Sequence, residues 1–504
     1  MPGLRLPRLA LPLPWLILAA CLSYAASVND PVSLAAWLWP VFLLRFTRES
    51  HAVTGFVLSL AFLSPTSYFA VRDMWPLPLA IMMTVILSGT ALSLLPFVAD
   101  RLLYSKLPPV AASLVLPAGV VTAEFFQVWL GGGVTWGSTA YTQQGLTPLL
   151  QIVSLTGMWG LIFVLHWLAP VANAIWDRRS KSQAATRPLL VFFAAIAAVW
   201  LYGEARVKLA PIAATVRVAG VAPPPNLDWL LDQQIPPVME PEQLRANRAQ
   251  YRPASFTLQD RLFEITESEA LAGARVVVWS EMAAWVFTED EPALQARATD
   301  AAKRLGIDLL ISVATIRPDA EKRVENKTIL FRPDGSSPVS YRKTHLIPGT
   351  EEELTLPGDG KAKVTHTSAG RLASAICFDL DYPATIRQMA NSGIDVLAGP
   401  SHDFQSVRDI HARMAVLRAI ENGVALMRPT ANGVGIATDA YGRTLSSVGY
   451  LRSGGATLVA HLPVHGVRTL YSRWGDWFAW VCVLGTFALA AAPTVSVFPK
   501  RVGS

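Results

Sequence analysis

The chain has 504 residues, of which 52% are hydrophobic and only 16% are charged. Because the apolar residues are concentrated in long runs, this composition excludes a fully soluble enzyme. The net charge of +6 does not indicate nucleic-acid binding, since many of the cations lie in short loops between apolar runs. We therefore expect a membrane protein that carries one large globular domain.

The hydrophobic pattern divides the chain into three regions. Residues 1–205 consist mostly of apolar runs, residues 206–470 have the composition of a globular domain with a sizeable core, and residues 471–504 contain one more apolar run. We predict a membrane domain of about seven transmembrane helices, an extracytoplasmic catalytic domain, and a C-terminal transmembrane helix followed by a cytoplasmic tail.

The predicted transmembrane segments of the first region lie at residues 9–26, 31–44, 52–71, 76–98, 108–130, 152–176 and 188–203. The second and the seventh are short for a bilayer. One carboxylate, Glu124, falls inside the fifth segment, where a charge is costly. It is expected either to contact Gln127 or a nearby backbone group, or to have a function.

The basic residues around these segments indicate the orientation of the chain. Positively charged loops are retained in the cytoplasm, and here the strongly basic loops all fall on one side. With that side cytoplasmic, seven crossings place residues 205–470 outside a bacterial cytoplasmic membrane. The cations that carry this prediction are Arg5, Arg8, Arg45, Arg48, Arg101, Lys106, Arg178, Arg179, Lys181, Arg187, Lys500 and Arg501.

An alternative interpretation concerns the first apolar run. Two arginines, an apolar stretch and the sequence Leu18-Ala-Ala-Cys21 are also typical of a lipoprotein signal peptide. Cleavage there would remove one crossing and break the alternation of charged loops.

Strand-like and helical patterns alternate in the globular region, which indicates an α/β fold. Strands are predicted at residues 216–221, 275–279, 308–314, 326–331, 339–343, 371–378, 395–398, 424–428, 434–438 and 456–462. Helices are predicted at residues 258–272, 293–305, 385–392 and 409–422, the last with Gly423 as its C-cap.

The three cysteines of the chain are Cys21, Cys377 and Cys482, and only Cys377 lies in the globular region. No disulfide within that domain and no zinc-binding spacing are therefore expected. A lone thiol at the end of a predicted strand, with acids directly after it, suits a nucleophile. A buried core cysteine is the alternative interpretation of this segment.

Two more polar residues, Glu281 and Lys343, also end predicted strands. Strand ends at one edge of an α/β sheet commonly form a site. A thiolate can attack a carbonyl, a carboxylate can move the proton, and an ammonium can stabilise the oxyanion. Taken singly, Glu281 and Lys343 would instead be interpreted as surface charges.

Together, these residues and their surroundings resemble the nitrilase (carbon–nitrogen hydrolase) superfamily, which has a Glu-Lys-Cys triad. Within it, the chain resembles the apolipoprotein N-acyltransferase family, and the likeness covers nearly the whole chain. The matching motifs lie at residues 276–281, 326–335, 341–348, 376–379, 411–423 and 428–433, and at 148–160 in the membrane region.

The resemblance implies a four-layer α-β-β-α sandwich attached to an α-helical membrane bundle. It implies Glu281 as base, Lys343 as oxyanion stabiliser and Cys377 as nucleophile. Glu351, eight residues after the lysine, corresponds to a second glutamate of the family. Phe378, through its backbone N–H, and Asp379 are expected to support the site, and no metal or cofactor is expected.

The implied activity is transfer of a fatty acyl chain from a phospholipid, through a cysteine thioester, to the N-terminal amine of a diacylglyceryl-cysteine lipoprotein. The expected partners are that donor, that acceptor and membrane lipids, with no nucleic acid and a monomeric chain. The alternatives are a membrane-anchored amidase, an acyltransferase with another amine acceptor, and a catalytically silent binding protein.

Several positions depart from the family pattern. Ser280 stands where proline is usual, and Phe378-Asp379 replaces Tyr-Glu after the cysteine. Residues 348–351 read Pro-Gly-Thr-Glu in place of Pro-Phe-Gly-Glu, and residues 401–404 read Ser-His-Asp-Phe in place of Asn-Asp-Ala-Trp. None of these departures affects the triad. Because the altered positions line the acceptor side in the family, the identity of the acceptor substrate is left open.

Overall fold

The structure is a computed structural model. It describes residues 12–27, 31–74, 78–177, 186–227, 241–246, 248–451, 454 and 457–495. The chain divides into two compact units, Met1–Lys208 with Trp474–Ser504, and Leu209–Arg473. Many of the cations that predict the orientation lie outside the described residues: Arg5, Arg8, Arg178, Arg179, Lys181, Lys500 and Arg501.

The regular secondary structure in the described part of the first unit consists of helices. Its longer helices are Leu13–Ser27, Ser33–Glu49, Ala52–Val71, Leu79–Leu103, Pro109–Leu130, Met158–Asp177, Thr186–Lys208 and Trp477–Val495. Short helical turns at Thr139–Thr142, Thr147–Leu150 and Val153–Thr156 connect the fifth and sixth of these.

Among the described residues, five helices are long and apolar enough to cross a membrane. They are Ala52–Val71, Leu79–Leu103, Pro109–Leu130, Met158–Asp177 and Thr186–Lys208. The last extends beyond the apolar run at both ends, so the segment predicted to be short has 23 residues. The prediction of several membrane helices is thus confirmed.

The predicted C-terminal transmembrane helix is not supported by the same criterion. Its described apolar stretch, Trp477–Pro493, is one of the shorter apolar helices, as is Leu13–Ser27. The second predicted segment forms the helix Ser33–Glu49, whose last turns carry Arg45, Arg48 and Glu49 and are therefore polar.

Glu124 has a different partner from the one expected. The hydroxyl of Ser138 donates to its Oε2 at 3.0 Å. Gln127 instead donates to the carbonyl oxygen of Gly89 at 2.9 Å and to the hydroxyl of Ser93 at 3.1 Å. Of the alternatives considered for Glu124, the contact with Gln127 is not formed, because the Gln127 amide contacts the helix Leu79–Leu103 instead.

The second unit contains strands β1 to β15 in its described part. In chain order these are Thr215–Val221, Val276–Trp279, Ala284–Phe287, Asp308–Ile316, Val324–Phe331, Val339–Arg342, Thr365–Thr367, Gly370–Ser374, Val396–Ala398, Ser401–His402, Ala425–Arg428, Thr430–Ala431, Val434–Thr438, Thr444–Gly449 and Leu458–Pro463. Its helices are Pro241–Ala246, Arg248–Leu271, Glu291–Leu305, Pro383–Asn391 and Arg408–Asn422, and Leu470–Trp474 lies at its C-terminal boundary.

Two larger sheets organise these strands. The first has the order β15-β1-β2-β4-β5-β6, with β3 paired to β4, and the second has the order β14-β13-β11-β9-β8-β7. Strands β1, β2 and β4 are mutually parallel, as are β8, β9 and β11. Each sheet therefore presents several carboxyl ends at one edge, where sites commonly form.

Alternation of side chains along the strands produces the layers of the fold. Val276 and Val278 of the first sheet pack against Val396 and Met427 of the second, so the two sheets face each other. The opposite face of the first sheet packs against the helices Arg248–Leu271 and Glu291–Leu305. That of the second sheet packs against Pro383–Asn391 and Arg408–Asn422. The result is the expected α-β-β-α sandwich.

The segment of the cysteine differs from its prediction. A strand was predicted over residues 371–378, but β8 ends at Ser374 and a 3-10 helix begins at Cys377. The backbone still pairs beyond β8, because the N–H of Ala375 donates to Ala398 and that of Cys377 to Pro400. Cys377 then adopts a left-handed φ of 47°, which turns the chain out of the sheet.

Candidate active site

The structure brings the side chains of Glu281, Lys343 and Cys377 together where the two sheets meet. Glu281 lies two residues after β2 and Lys343 directly after β6, both in the first sheet. Cys377 lies three residues after β8 of the second sheet. All three are buried, with exposures of 2%, 0% and 4%. The three side chains are therefore neighbours in the structure, and their catalytic roles stay a prediction.

A tight turn aims Glu281 at its neighbours. The N–H of Ala283 donates to the carbonyl of Ser280, and Met282 takes a left-handed φ of 47°. Oε1 of Glu281 accepts from Nζ of Lys343 at 2.9 Å and from Nδ2 of Asn326 at 2.7 Å. Oε2 accepts from the backbone N–H of His402 at 2.8 Å.

These donors keep Glu281 ionised. Burial by itself would raise the pKa of its carboxyl, but the Lys343 ammonium and the hydrogen bonds from Lys343, Cys377 and Asn326 hold that pKa below its usual value. The Cys377 side chain is thus close enough to Glu281 to contribute to the lowered pKa of that carboxyl.

Lys343 lies between two carboxylates. Its Nζ donates to Glu281 at 2.9 Å and to Oε1 of Glu351 at 2.8 Å. Oε2 of Glu351 accepts from the backbone N–H of Ile347 at 2.9 Å, which fixes the carboxylate. Burial alone would lower the pKa of Lys343, but the two glutamates outweigh it and hold that pKa well above its usual value.

The thiol of Cys377 is protonated at rest. Burial is the largest cause that raises its pKa well above the usual value, and the negative charge of Glu281 adds to it. Lys343 acts in the opposite direction. Since the thiolate is the nucleophilic form, a nucleophilic role for this thiol would require transfer of its proton to a base.

Asp379 joins the lysine loop to the cysteine turn. Its Oδ1 accepts from the backbone N–H groups of Thr344 and His345 at 3.1 and 2.8 Å. Its Oδ2 accepts from the N–H of Ile376 at 3.0 Å and from the hydroxyl of Tyr341 at 2.8 Å. Burial raises the pKa of Asp379 to about 6 despite these donors. Asp379 therefore forms hydrogen bonds to the segments on both sides of the cluster.

A second buried network lies beside the cysteine. His411 has Nε2 3.0 Å from Oδ1 of Asp381 and Nδ1 2.7 Å from Oδ1 of Asp403. Nη2 of Arg428 donates to the same Asp403 oxygen at 2.6 Å. Burial would lower the pKa of His411, but the two aspartates outweigh burial and Arg428 and raise it to about 9. Two cations and two anions thus balance in this network.

Cys377, Asp403 and His411 are residue types that bind metals, and one ligand atom of each lies within 4.8 Å of the others. However, the guanidinium of Arg428 contacts both Asp403 and His411. A metal ion would therefore meet a cation already held by these ligands, and the residues do not fit a metal site.

Sequence reasoning missed several members of the site. Asn326 and the network of Asp381, Asp403, His411 and Arg428 were not among the predicted site residues. The available signal was that Asn326, His411 and Arg428 occur in matched motifs and that Asp403 lies in the departing stretch 401–404. Ser280 is fully buried, and Phe378 forms a T-shaped contact with Tyr382 at 5.4 Å.

Comparison with known proteins gives two family matches. Residues 253–470 match the carbon–nitrogen hydrolase family, and residues 14–171 match the N-terminal domain of apolipoprotein N-acyltransferase. The chain is 25% identical to the apolipoprotein N-acyltransferase of Geobacter metallireducens over 74% of this chain and 72% of that protein. It is 25% identical to that of Bradyrhizobium diazoefficiens over 79% of this chain and 76% of that protein.

One solved structure similar to this chain is an amidase from a Nesterenkonia species. It is 19% identical, with a TM-score of 0.39, and the match covers 54% of this chain and 98% of the amidase.

Proposed function

Because the chain belongs to the apolipoprotein N-acyltransferase family of the nitrilase superfamily, we propose that it acylates lipoproteins in a bacterial membrane. The acyl chain comes from a phospholipid, and the acceptor is the N-terminal amine of a diacylglyceryl-cysteine lipoprotein. The observation that carries this proposal is the buried cluster of Glu281, Lys343 and Cys377 in a chain that also has apolar, membrane-length helices.

The first half-reaction acylates Cys377. Glu281 accepts the thiol proton as sulfur attacks the ester carbonyl, and the ammonium of Lys343 stabilises the oxyanion, together with the N–H of Phe378. The C–O bond then breaks, and the proton passes from Glu281 to the leaving oxygen. The products are a Cys377 thioester and a lysophospholipid.

The second half-reaction transfers the acyl chain to the amine. Its nitrogen attacks the thioester carbonyl, and Lys343 and the N–H of Phe378 again stabilise the oxyanion. The C–S bond breaks, and the proton lost by nitrogen reaches sulfur through Glu281. The amide leaves and the thiol is restored, so the scheme is ping-pong.

Glu351 and Asp379 support this chemistry by holding Lys343 and the segments that carry Lys343 and Cys377. The charge on Glu351 keeps Lys343 protonated, and the hydrogen bonds of Asp379 fix the positions of the lysine and cysteine segments.

We propose a multi-pass chain with domain boundaries near residues 206 and 470, a catalytic domain outside the cytoplasmic membrane, and a final crossing by the helix Trp477–Val495. The basic loops and the five membrane-length helices support the multi-pass arrangement, whereas the final crossing rests only on the apolar composition of Trp477–Val495. A reporter active only outside the cytoplasm should work when fused near Gly335, and a cytoplasmic reporter when fused after Ser504. The reverse activities would contradict the orientation.

The activity is tested with purified protein, a phospholipid labelled in its acyl chain and a diacylglyceryl-cysteine peptide. The expected product is an amide-linked label on the peptide, with one lysophospholipid released per transfer. Free fatty acid without labelled peptide would favour hydrolysis and contradict acyl transfer to this amine. Cys377→Ala should form neither product.

A further inference from the structure

Among the described residues, one carboxylate oxygen of Asp403 has no hydrogen-bond partner. Asp403 is 3% exposed, and its Oδ1 accepts from His411 and Arg428 at 2.7 and 2.6 Å. Its Oδ2 is buried and has no hydrogen-bond partner within the described part of the chain. Buried carboxylate oxygens are almost always hydrogen-bonded, so this one requires an explanation.

The carboxylate lies beside the nucleophile. A carboxylate oxygen of Asp403 is within 4.8 Å of Sγ of Cys377. The charged groups that surround this thiol are Glu281, Lys343, Asp403 and His411. Burial contributes most to the raised pKa of Cys377, and the charge of Asp403 raises it further. Asp403 therefore opposes formation of the thiolate and does not help the first half-reaction.

The backbone of Gly433 lies directly against Oδ2. A Cβ atom on Gly433 would lie 2.0 Å from Oδ2, so any side chain there would crowd the oxygen. The preceding residue, Asn432, has a left-handed φ of 57° and contacts His402 at 2.9 Å. The carbonyl of His402 lies 3.9 Å from Sγ of Cys377. This turn therefore reaches the nucleophile through His402.

We propose that Oδ2 of Asp403 binds the attacking primary amine in the second half-reaction and stabilises the positive charge that develops on its nitrogen. This role rests on the proposed function. An amine N–H donates to Oδ2 while the nitrogen lone pair forms the N–C bond and the carbonyl electrons move to oxygen, beside Lys343. The C–S bond then breaks, and the nitrogen proton passes through Glu281 to sulfur. Asp403 remains a carboxylate throughout.

A fixed anion at this point suits an amine donor. Hydrogen bonds from a group that gains positive charge to a carboxylate are stronger than neutral ones. The interaction grows as the N–C bond forms, so it lowers the barrier for aminolysis of the thioester. Acylation of Cys377 by an ester involves no such nitrogen.

The two half-reactions of Asp403→Asn distinguish this role from a structural one. The amide is isosteric, and its oxygen can still accept from His411 and Arg428. We expect a Cys377 thioester to form from labelled phospholipid at the parent rate or faster. Its discharge to a diacylglyceryl-cysteine peptide should be roughly 10- to 100-fold slower, the scale of one hydrogen bond to a charged group. Alkylation of Cys377 by iodoacetamide should reach half-maximal rate at a lower pH than in the parent.

Two further variants are the controls. Asp381→Asn removes the contact with His411 from the other side and leaves Oδ2 in place, so any slowing should be equal in both half-reactions. Gly433→Ala crowds Oδ2 but keeps the charges of Asp381, Asp403, His411 and Arg428. Discharge of the thioester to the peptide should therefore again slow more than acylation of Cys377.

Equal slowing of both half-reactions in Asp403→Asn and Gly433→Ala, or unchanged discharge in both, would overturn the role of Asp403. A parent protein that forms no thioester, or whose thioester never passes to the peptide, would instead overturn the proposed function itself and this role with it.

Discussion

Replacing Lys343 by methionine removes the charge shared by the buried Glu281 and the partly buried Glu351. Lys343 Nζ lies 2.9 Å from Glu281 and 2.8 Å from Glu351. At an effective dielectric constant of about 20, each contact corresponds to an attraction of about 6 kcal/mol. Most of this offsets the cost of removing three charges from water, so loss of one partner destabilises by about 3–5 kcal/mol.

The same change should reduce catalysis. Loss of an oxyanion donor typically costs about 10²- to 10³-fold in rate. In addition, Glu281 would lose the charge that keeps its pKa low, so part of the base would become protonated. We expect Lys343→Met to acylate Cys377 at least about 100-fold more slowly than the parent.

The assay combines thermal unfolding in detergent micelles with single-turnover acylation by labelled phospholipid. Glu351→Gln is the matched variant: added to Lys343→Met, it should recover part of the lost stability, because one unpaired charge is gone, but none of the rate. A Lys343→Met protein that acylates within a factor of about ten of the parent would refute the catalytic role. Unchanged stability would refute the account of the ion pairs.

Two further predictions concern the supporting residues. The pKa of His411 is raised from its usual 6.5 to about 9, so the stability that it contributes is complete below pH 6.5 and is lost as the pH rises through about 9. This contribution to the free energy of unfolding is on the order of 3 kcal/mol. His411→Gln should therefore lower the melting temperature more at pH 6 than at pH 9.5. An equal decrease at both pH values would contradict a charged imidazole. Asp379→Asn should destabilise by about 3 kcal/mol, because its amide group would face the donors Ile376 N–H and Tyr341 Oη. Tyr341→Phe, which removes only one of these bonds, should cost less in the same unfolding assay, and equal costs would argue against this geometry.

The secondary structure of this chain was predictable where apolar residues form continuous runs. Runs such as residues 52–71 and 276–279 show their element type through continuous apolar character, and both form the expected helix and strand. The strands β10 and β12 have only two residues each, too few for any periodicity to indicate them. The early end of β8 at Ser374 was missed because apolar residues continue to Phe378.

The candidate site was predictable only where a residue carries its own signal. Cys377 is the only cysteine of its domain, and Glu281 and Lys343 lie at the ends of predicted strands. Asp403, His411 and Arg428 carry no signal of their own in the sequence. Charged side chains are usually exposed, and nothing in the residue types predicts that Arg428 is fully buried. From sequence alone, loss of Lys343 would be expected to leave folding largely intact, whereas its burial between two carboxylates predicts a loss of stability.

The central claim is that Cys377 carries the acyl chain. The direct measurement is incubation of the purified protein with phospholipid labelled in its acyl chain, followed by neutral hydroxylamine, which cleaves thioesters. Label that hydroxylamine releases is expected on the parent and on Cys21→Ala and Cys482→Ala, whose thiols lie in the helical unit. Cys377→Ala should carry none, and Cys377→Ser almost none. Label that persists on Cys377→Ala would show that the nucleophile lies elsewhere and would contradict the account.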